Sequence, residues 1–158
     1  MISITEVTTF LQKDIATAMD KLHENSIPQW GSMEAQEMIE HVAMALKGGY
    51  ALEFTADKEP KPAQLQAKEA FLVQNMPYPK GVPSPFHKNG KPAYAFNNLE
   101  DAKQNLLSQI KLLYDFFEKE ENKNKFFFHP FFGKLNFEEI QKFVYKHTKH
   151  HFEQFGLV

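Results

Sequence analysis

Apolar residues recur three and four apart along most of the chain, and four stretches keep that rhythm long enough to form amphipathic helices. In the first, Ser3 to Glu6 has the spacing of a capping box, and apolar residues follow at helical intervals as far as Leu22. Pro28 breaks the pattern. Beyond Trp30-Gly31, Ser32 is placed to N-cap a second helix with Met38, Val42, Ala45 and Leu46 on its inner face and Gly48-Gly49 as its stop. The third repeats the capping spacing at Asn97 to Glu100, carries Leu99, Ala102, Leu106, Ile110, Leu113 and Phe117, and ends at "ENKNK". A capping box at Asn136 to Glu139 opens the fourth, which carries Ile140, Phe143, Val144 and Phe155.

Residues 55–98, between the second and third helices, lose this rhythm and hold seven of the nine prolines around one short helix near Ala63 to Gln74. Phe71, Tyr78, Phe86, Tyr94 and Phe96 are the side chains expected to pack this excursion onto the domain. A connection of this length inside a compact domain is a lid or wall over a site, or else mobile. Before the fourth helix stands "FFFHPFFG", an aromatic loop without charge, and no stretch has a convincing strand pattern. The expected fold is all-α, a four-helix bundle with a long Pro-rich crossover between helices two and three, in one domain spanning 1–158.

Composition narrows the function. The net charge is -2, and all eighteen basic residues are lysine. Without arginine the chain lacks the planar fork used to grip phosphates and guanine edges, so nucleic acid is not an expected partner. No apolar run is long enough to span a bilayer and the first residues lack the pattern of an export signal, which predicts a soluble, cytoplasmic protein with no membrane partner. There is no cysteine. Disulfides, thiolate metal sites and cysteine nucleophiles are therefore excluded, and any thiol chemistry needs a thiol from a substrate or cofactor.

Three of the seven histidines fall within "HTKHH", residues 147–151. At about 100° per residue, His147 and His151 lie about 40° apart, in the middle of the fourth helix's apolar stripe, with His150 nearer its edge. Imidazoles four residues apart project from one face on successive turns and can reach one ion. On the second helix His41 stands between Met38 and Ala45 on the inner face. Spacing alone leaves two readings open: hydrogen-bonded core histidines, or three nitrogens converging on a metal. A di-iron carboxylate site is excluded, because it needs Glu-x-x-His on two helices and the residues three before His41, His147 and His151 are Met38, Val144 and Thr148. Glu37, one turn before His41, is placed to accept from a ligating imidazole or to be plain solvated charge.

"WGSMEAQEMIEHVAMAL" and "HPFFGKLNFEEIQKFVYKHTKHHFEQFG" resemble segments of the DinB/YfiT-like superfamily of metal-dependent helical-bundle proteins, in particular a subgroup ending in this histidine-rich pattern. The resemblance implies a four-helix bundle with His41, His147 and His151 around a divalent ion, Gln154 matching the family's glutamine, and His129 matching the subgroup's His-Pro. It also implies a thiol S-transferase, using a low-molecular-weight thiol, or a hydrolase. His129 is then a candidate for the pocket mouth or for a hydrogen bond to a ligand, or a loop histidine bonded to backbone.

The leading expectation is a metal-dependent enzyme in which the three histidines hold Zn2+ or Ni2+ and leave a position open for water or a small-molecule substrate. Neutral ligands preserve the ion's charge, which lowers the pKa of bound water to about 7 or stabilises a thiolate. The rival is a non-catalytic bundle in which the cluster is a structural or ligand-binding site, recognised by a fourth protein ligand such as Glu37, His129 or His150. The phenylalanine run suits a core or, where exposed, a homodimer interface. His23 and His87 are expected outside the site.

Overall fold

All four rhythmic stretches are helical in the computed structural model, which describes residues 2–51, 58–83 and 90–158, with only the backbone of 47–51. The first is α1 (Ile4–Thr9), a π turn (Phe10–Asp14) and α2 (Ile15–Met19) in unbroken succession. The wider π turn lets the adjacent Phe10 and Leu11 both face inward, where Phe10 meets the rings of Tyr145 and Phe152 edge-on. Ser3 stands at the N-cap without making a side-chain capping bond. Glu6, the other half of the expected box, instead accepts from the Tyr145 hydroxyl at 2.5 Å and joins α1 to the last helix.

α3 (Ala35–Ala51) starts beyond Ser32, and the Glu37 carboxylate reaches back to accept from the Glu34 amide at 3.2 Å. Its backbone passes through Gly48 and Gly49 rather than stopping there. Glycine lowers helix propensity by about 1 kcal/mol without forbidding the right-handed conformation. In the excursion, α4 (Pro62–Lys68) runs into a second π turn (Glu69–Val73), close to the short helix expected. α5 (Leu99–Glu118) is capped by Asn98, one residue later than expected, whose side chain accepts from the Asp101 amide at 2.8 Å. α6 (Phe137–Gln154) has the expected reciprocal box, Asn136 and Glu139 each accepting from the other's amide at 2.9 Å.

The aromatic stretch is not a loop. It forms β1 (Phe127–His129) and β2 (Gly133–Leu135), an antiparallel hairpin in the register Phe127 to Leu135 and His129 to Gly133. Phe127 and Leu135 are buried, while Phe126 and Phe131 are exposed. Three-residue strands are too short to imprint a period of two on a run of phenylalanines. Gly133 permits the hairpin's docking: its φ is +68°, and a Cβ there would lie 2.6 Å from the Cβ of Pro60 at the start of the excursion.

α3 lies along α5, α6 packs on α1 and α3, and the π turn of the first helix touches α5. One apolar core runs between them, with Leu11, Met38, Leu106, Leu113, Phe127 and Phe152 among its fully enclosed members. Leu72 is buried and Phe71, Tyr78 and Phe96 pack against this core, so the excursion is fastened to the domain. Tyr94 is exposed and held by a hydrogen bond to Glu34, whereas Phe86 and His87 lie outside the described residues. No helix among the described residues is long and apolar enough to cross a membrane.

Candidate metal centre

α3 and α6 pack side by side, and the apolar stripes that drive the packing carry His41 on one helix and His147 and His151 on the other. One ring nitrogen from each falls within 4.8 Å of the other two. The Nε2 atoms of His41 and His147 are 3.2 Å apart. Two nitrogens bound tetrahedrally to one zinc at about 2.0 Å would be about 3.3 Å apart, so the pair already has a ligating separation. The His41 and His151 rings meet edge-on at 4.7 Å and those of His147 and His151 at 4.8 Å.

Burial sets the protonation. It pushes the His151 imidazole down to about 4, against the opposing effect of its bond to Gln154. His147 lies well below the ordinary histidine value, because it is desolvated and faces the other imidazoles. Both are neutral at pH 7, as metal ligation requires.

His151 is oriented by a relay. Its Nδ1 donates to Gln154 Oε1 at 2.9 Å, leaving Nε2 with its lone pair toward the cluster. The amide is itself oriented, since Gln154 Nε2 donates to the Trp30 carbonyl at 2.7 Å. Gly31 makes that approach possible: its φ is +77°, and a Cβ there would stand 2.6 Å from Gln154 Nε2. The Gln29 amide donates to the Gln154 carbonyl at 2.7 Å, pinning the same turn to the end of α6.

The remaining candidates lie elsewhere. Glu37 is buried, with its carboxylate on the Glu34 amide at the start of α3. His129 sits in the hairpin, where its Nδ1 accepts from the amides of Phe131 at 3.1 Å and Phe132 at 3.3 Å. Burial holds His129 down to about 4, and its ring meets Phe143, whose ring in turn stacks on His147. His150 points to the side, between Trp30 and Tyr78. His23 is exposed in the turn after the first helix. Among the described residues, no fourth histidine or carboxylate joins the group of three.

A cleft of about 300 Å³ opens beside His41, between α3 and Pro92 to Phe96. Met44, Ala43 and Phe96 make its wall largely apolar, with Glu37 and Glu40 at its polar positions. The wall is tied down by α3: Glu40 accepts from the amides of Ala95 at 2.7 Å and Phe96 at 3.1 Å, and Gln36 donates to the Phe96 carbonyl at 2.7 Å. The parts of Trp30, Gly31, Gln36 and Glu40 in shaping the site were not apparent in the sequence. Gly31 beside a tryptophan was the one available signal, since glycine in a turn marks a close approach. Compared with models of known families, with characterised proteins and with solved structures, the chain shows no match.

Proposed function

We propose that this chain is a divalent-metal-binding protein of the DinB/YfiT-like type, its helices forming a four-helix bundle around a His41, His147 and His151 site with an open position. The observation that carries this reading is the convergence of three ring nitrogens within 4.8 Å from two separate helices. Zn2+ and Ni2+ suit such a set of imidazoles. What a bound ion contributes is Lewis acidity toward a water or a thiol. The chain's own residues do the rest. His147 and His151 stay neutral, Gln154 fixes the His151 ring, and the apolar cleft beside His41 receives a small molecule while limiting water. A transferase acting with a low-molecular-weight thiol, or a hydrolase, fits this division of labour, in a cytoplasmic setting.

The absence of a fourth ligand among the described residues favours the open site over a structural staple. Metal analysis of purified protein tests the reading. His41→Ala, His147→Ala and His151→Ala should each lose most of the bound ion, while His150→Ala and His23→Ala should keep it. Full retention in His147→Ala removes the site as drawn. Chelation should lower the melting temperature and leave a helical, cooperatively unfolding protein, because the apolar core does not pass through the ion. A chelated chain that is largely unfolded would favour the structural reading instead.

A further inference from the structure

A second cleft of about 300 Å³ lies along a different side of α6, between α1 and the turn that follows Val73. Its lining includes Lys80, Lys146, Lys149, His150, Tyr78 and Tyr145, together with Glu6 and Glu153. Among the described residues none of the three lysines forms an ion pair, although Glu153 and Glu6 act on Lys149 from a distance. Lys80 lies over the Trp30 ring at 4.0 Å, and Lys149 donates to the Tyr145 hydroxyl at 3.2 Å, whose own proton goes to Glu6.

Lys146 is the informative one. It is 8% exposed, and its partners carry no formal charge: Asn75 Oδ1 at 2.6 Å, the Met76 carbonyl at 2.9 Å and the face of the Tyr78 ring, 5.4 Å from its centroid. Asn75 holds φ +59°, a left-handed conformation that asparagine tolerates better than most residues, so a special backbone position presents these two acceptors. The two acceptors take two of the three ammonium protons, and the ring face offsets the charge only in part. The Tyr78 hydroxyl, behind the ring, is closed to solvent and has no hydrogen-bond partner among the described residues. Buried cations are ordinarily paired, and an anion in the cleft would supply the counter-charge that Lys146 lacks.

We propose that this cleft binds a small organic anion through its carboxylate or phosphoryl oxygens, with Lys146 as the central charge and Lys149 and Lys80 beside it. The cleft borders the histidine cluster without including its three ligands: His150 lines it, and the His150 ring meets that of His151 at 5.2 Å. Trp30, the chain's single tryptophan, reports on it through Lys80. Its emission is followed while the full-length protein is titrated with inorganic phosphate, and separately with acetate, against sodium chloride at equal ionic strength.

A saturable change is expected, with phosphate alone marking a phosphoryl site and acetate as well marking a carboxylate site. Lys146→Met should raise the half-saturating concentration about tenfold, as expected for loss of a charge-assisted bond. Lys149→Met should raise it severalfold, and His147→Ala should leave it unchanged. Melting curves establish that each variant is folded. A response that never saturates, or that is the same in wild type, Lys146→Met and Lys149→Met, overturns the proposal.

Discussion

Replacing Gln154 by leucine isolates the relay from the ligands, because the side chain keeps its approximate volume and loses both hydrogen bonds at once. The His151 Nδ1 proton is then left without its 2.9 Å acceptor inside a buried site, at a cost of about 1–3 kcal/mol. The Trp30 carbonyl loses its 2.7 Å donor too, but that bond is only partly buried and water can replace it. A net loss of about 1–3 kcal/mol of folding stability follows for the metal-free protein. Freed of its partner, the His151 ring can change tautomer or rotate, and loss of such a supporting bond typically lowers metal affinity about 10–100-fold. Chelator competition gives the affinity and metal analysis the stoichiometry, which should stay at the wild-type value, unlike that of His151→Ala. Gln154→Glu supplies a control: its carboxylate still accepts from His151 but faces the Trp30 carbonyl as a second acceptor, so it should lose stability while retaining more affinity. An affinity for Gln154→Leu within about twofold of wild type would show that Gln154 does not orient the ligand.

Acid should destabilise the metal-free protein between pH 6.5 and 4. Burial lowers His151 and His129 to about 4 from an unfolded value of about 6.5, so the unfolded chain binds more protons in that window. The stability is complete above pH 6.5 and is lost as pH falls through 4, by roughly 3 kcal/mol per group. Denaturant titrations across this range should give a slope exceeding one proton, and a flat profile would refute the buried, neutral state. Gly31→Ala should cost about 1–2 kcal/mol from its left-handed backbone alone and should also weaken metal binding by displacing Gln154, as melting curves and chelator competition would show. An unchanged metal affinity in that variant would mean that the turn does not position the amide. Glu40→Ala should free the cleft wall, raising amide hydrogen exchange at Ala95 and Phe96 while leaving α5 protected. Equal protection in wild type and variant would show that the wall is held by other means.

Periodicity alone located the helices, because an amphipathic stripe is a local property written into residues three and four apart. The box at Asn136 and Glu139 was legible for the same reason, its partners being three residues apart. At the first cap and at the aromatic loop the expectation failed because a distant residue had won a local group. Glu6 left its capping role for Tyr145, and the aromatic run became a hairpin that packs Phe127 and Leu135 into the core beside Pro60. His147 and His151 could be assigned to one face from their spacing, and His41 to the inner face of another helix. That the three nitrogens meet is a fact about how α3 packs on α6, which no single segment contains. The relay from His151 through Gln154 to Trp30, the hold of Glu40 on the cleft wall and the bond from Lys146 to Asn75 join residues roughly 55 to 125 positions apart. Such contacts leave no periodic trace, because their partners become neighbours only after the core has brought the helices together.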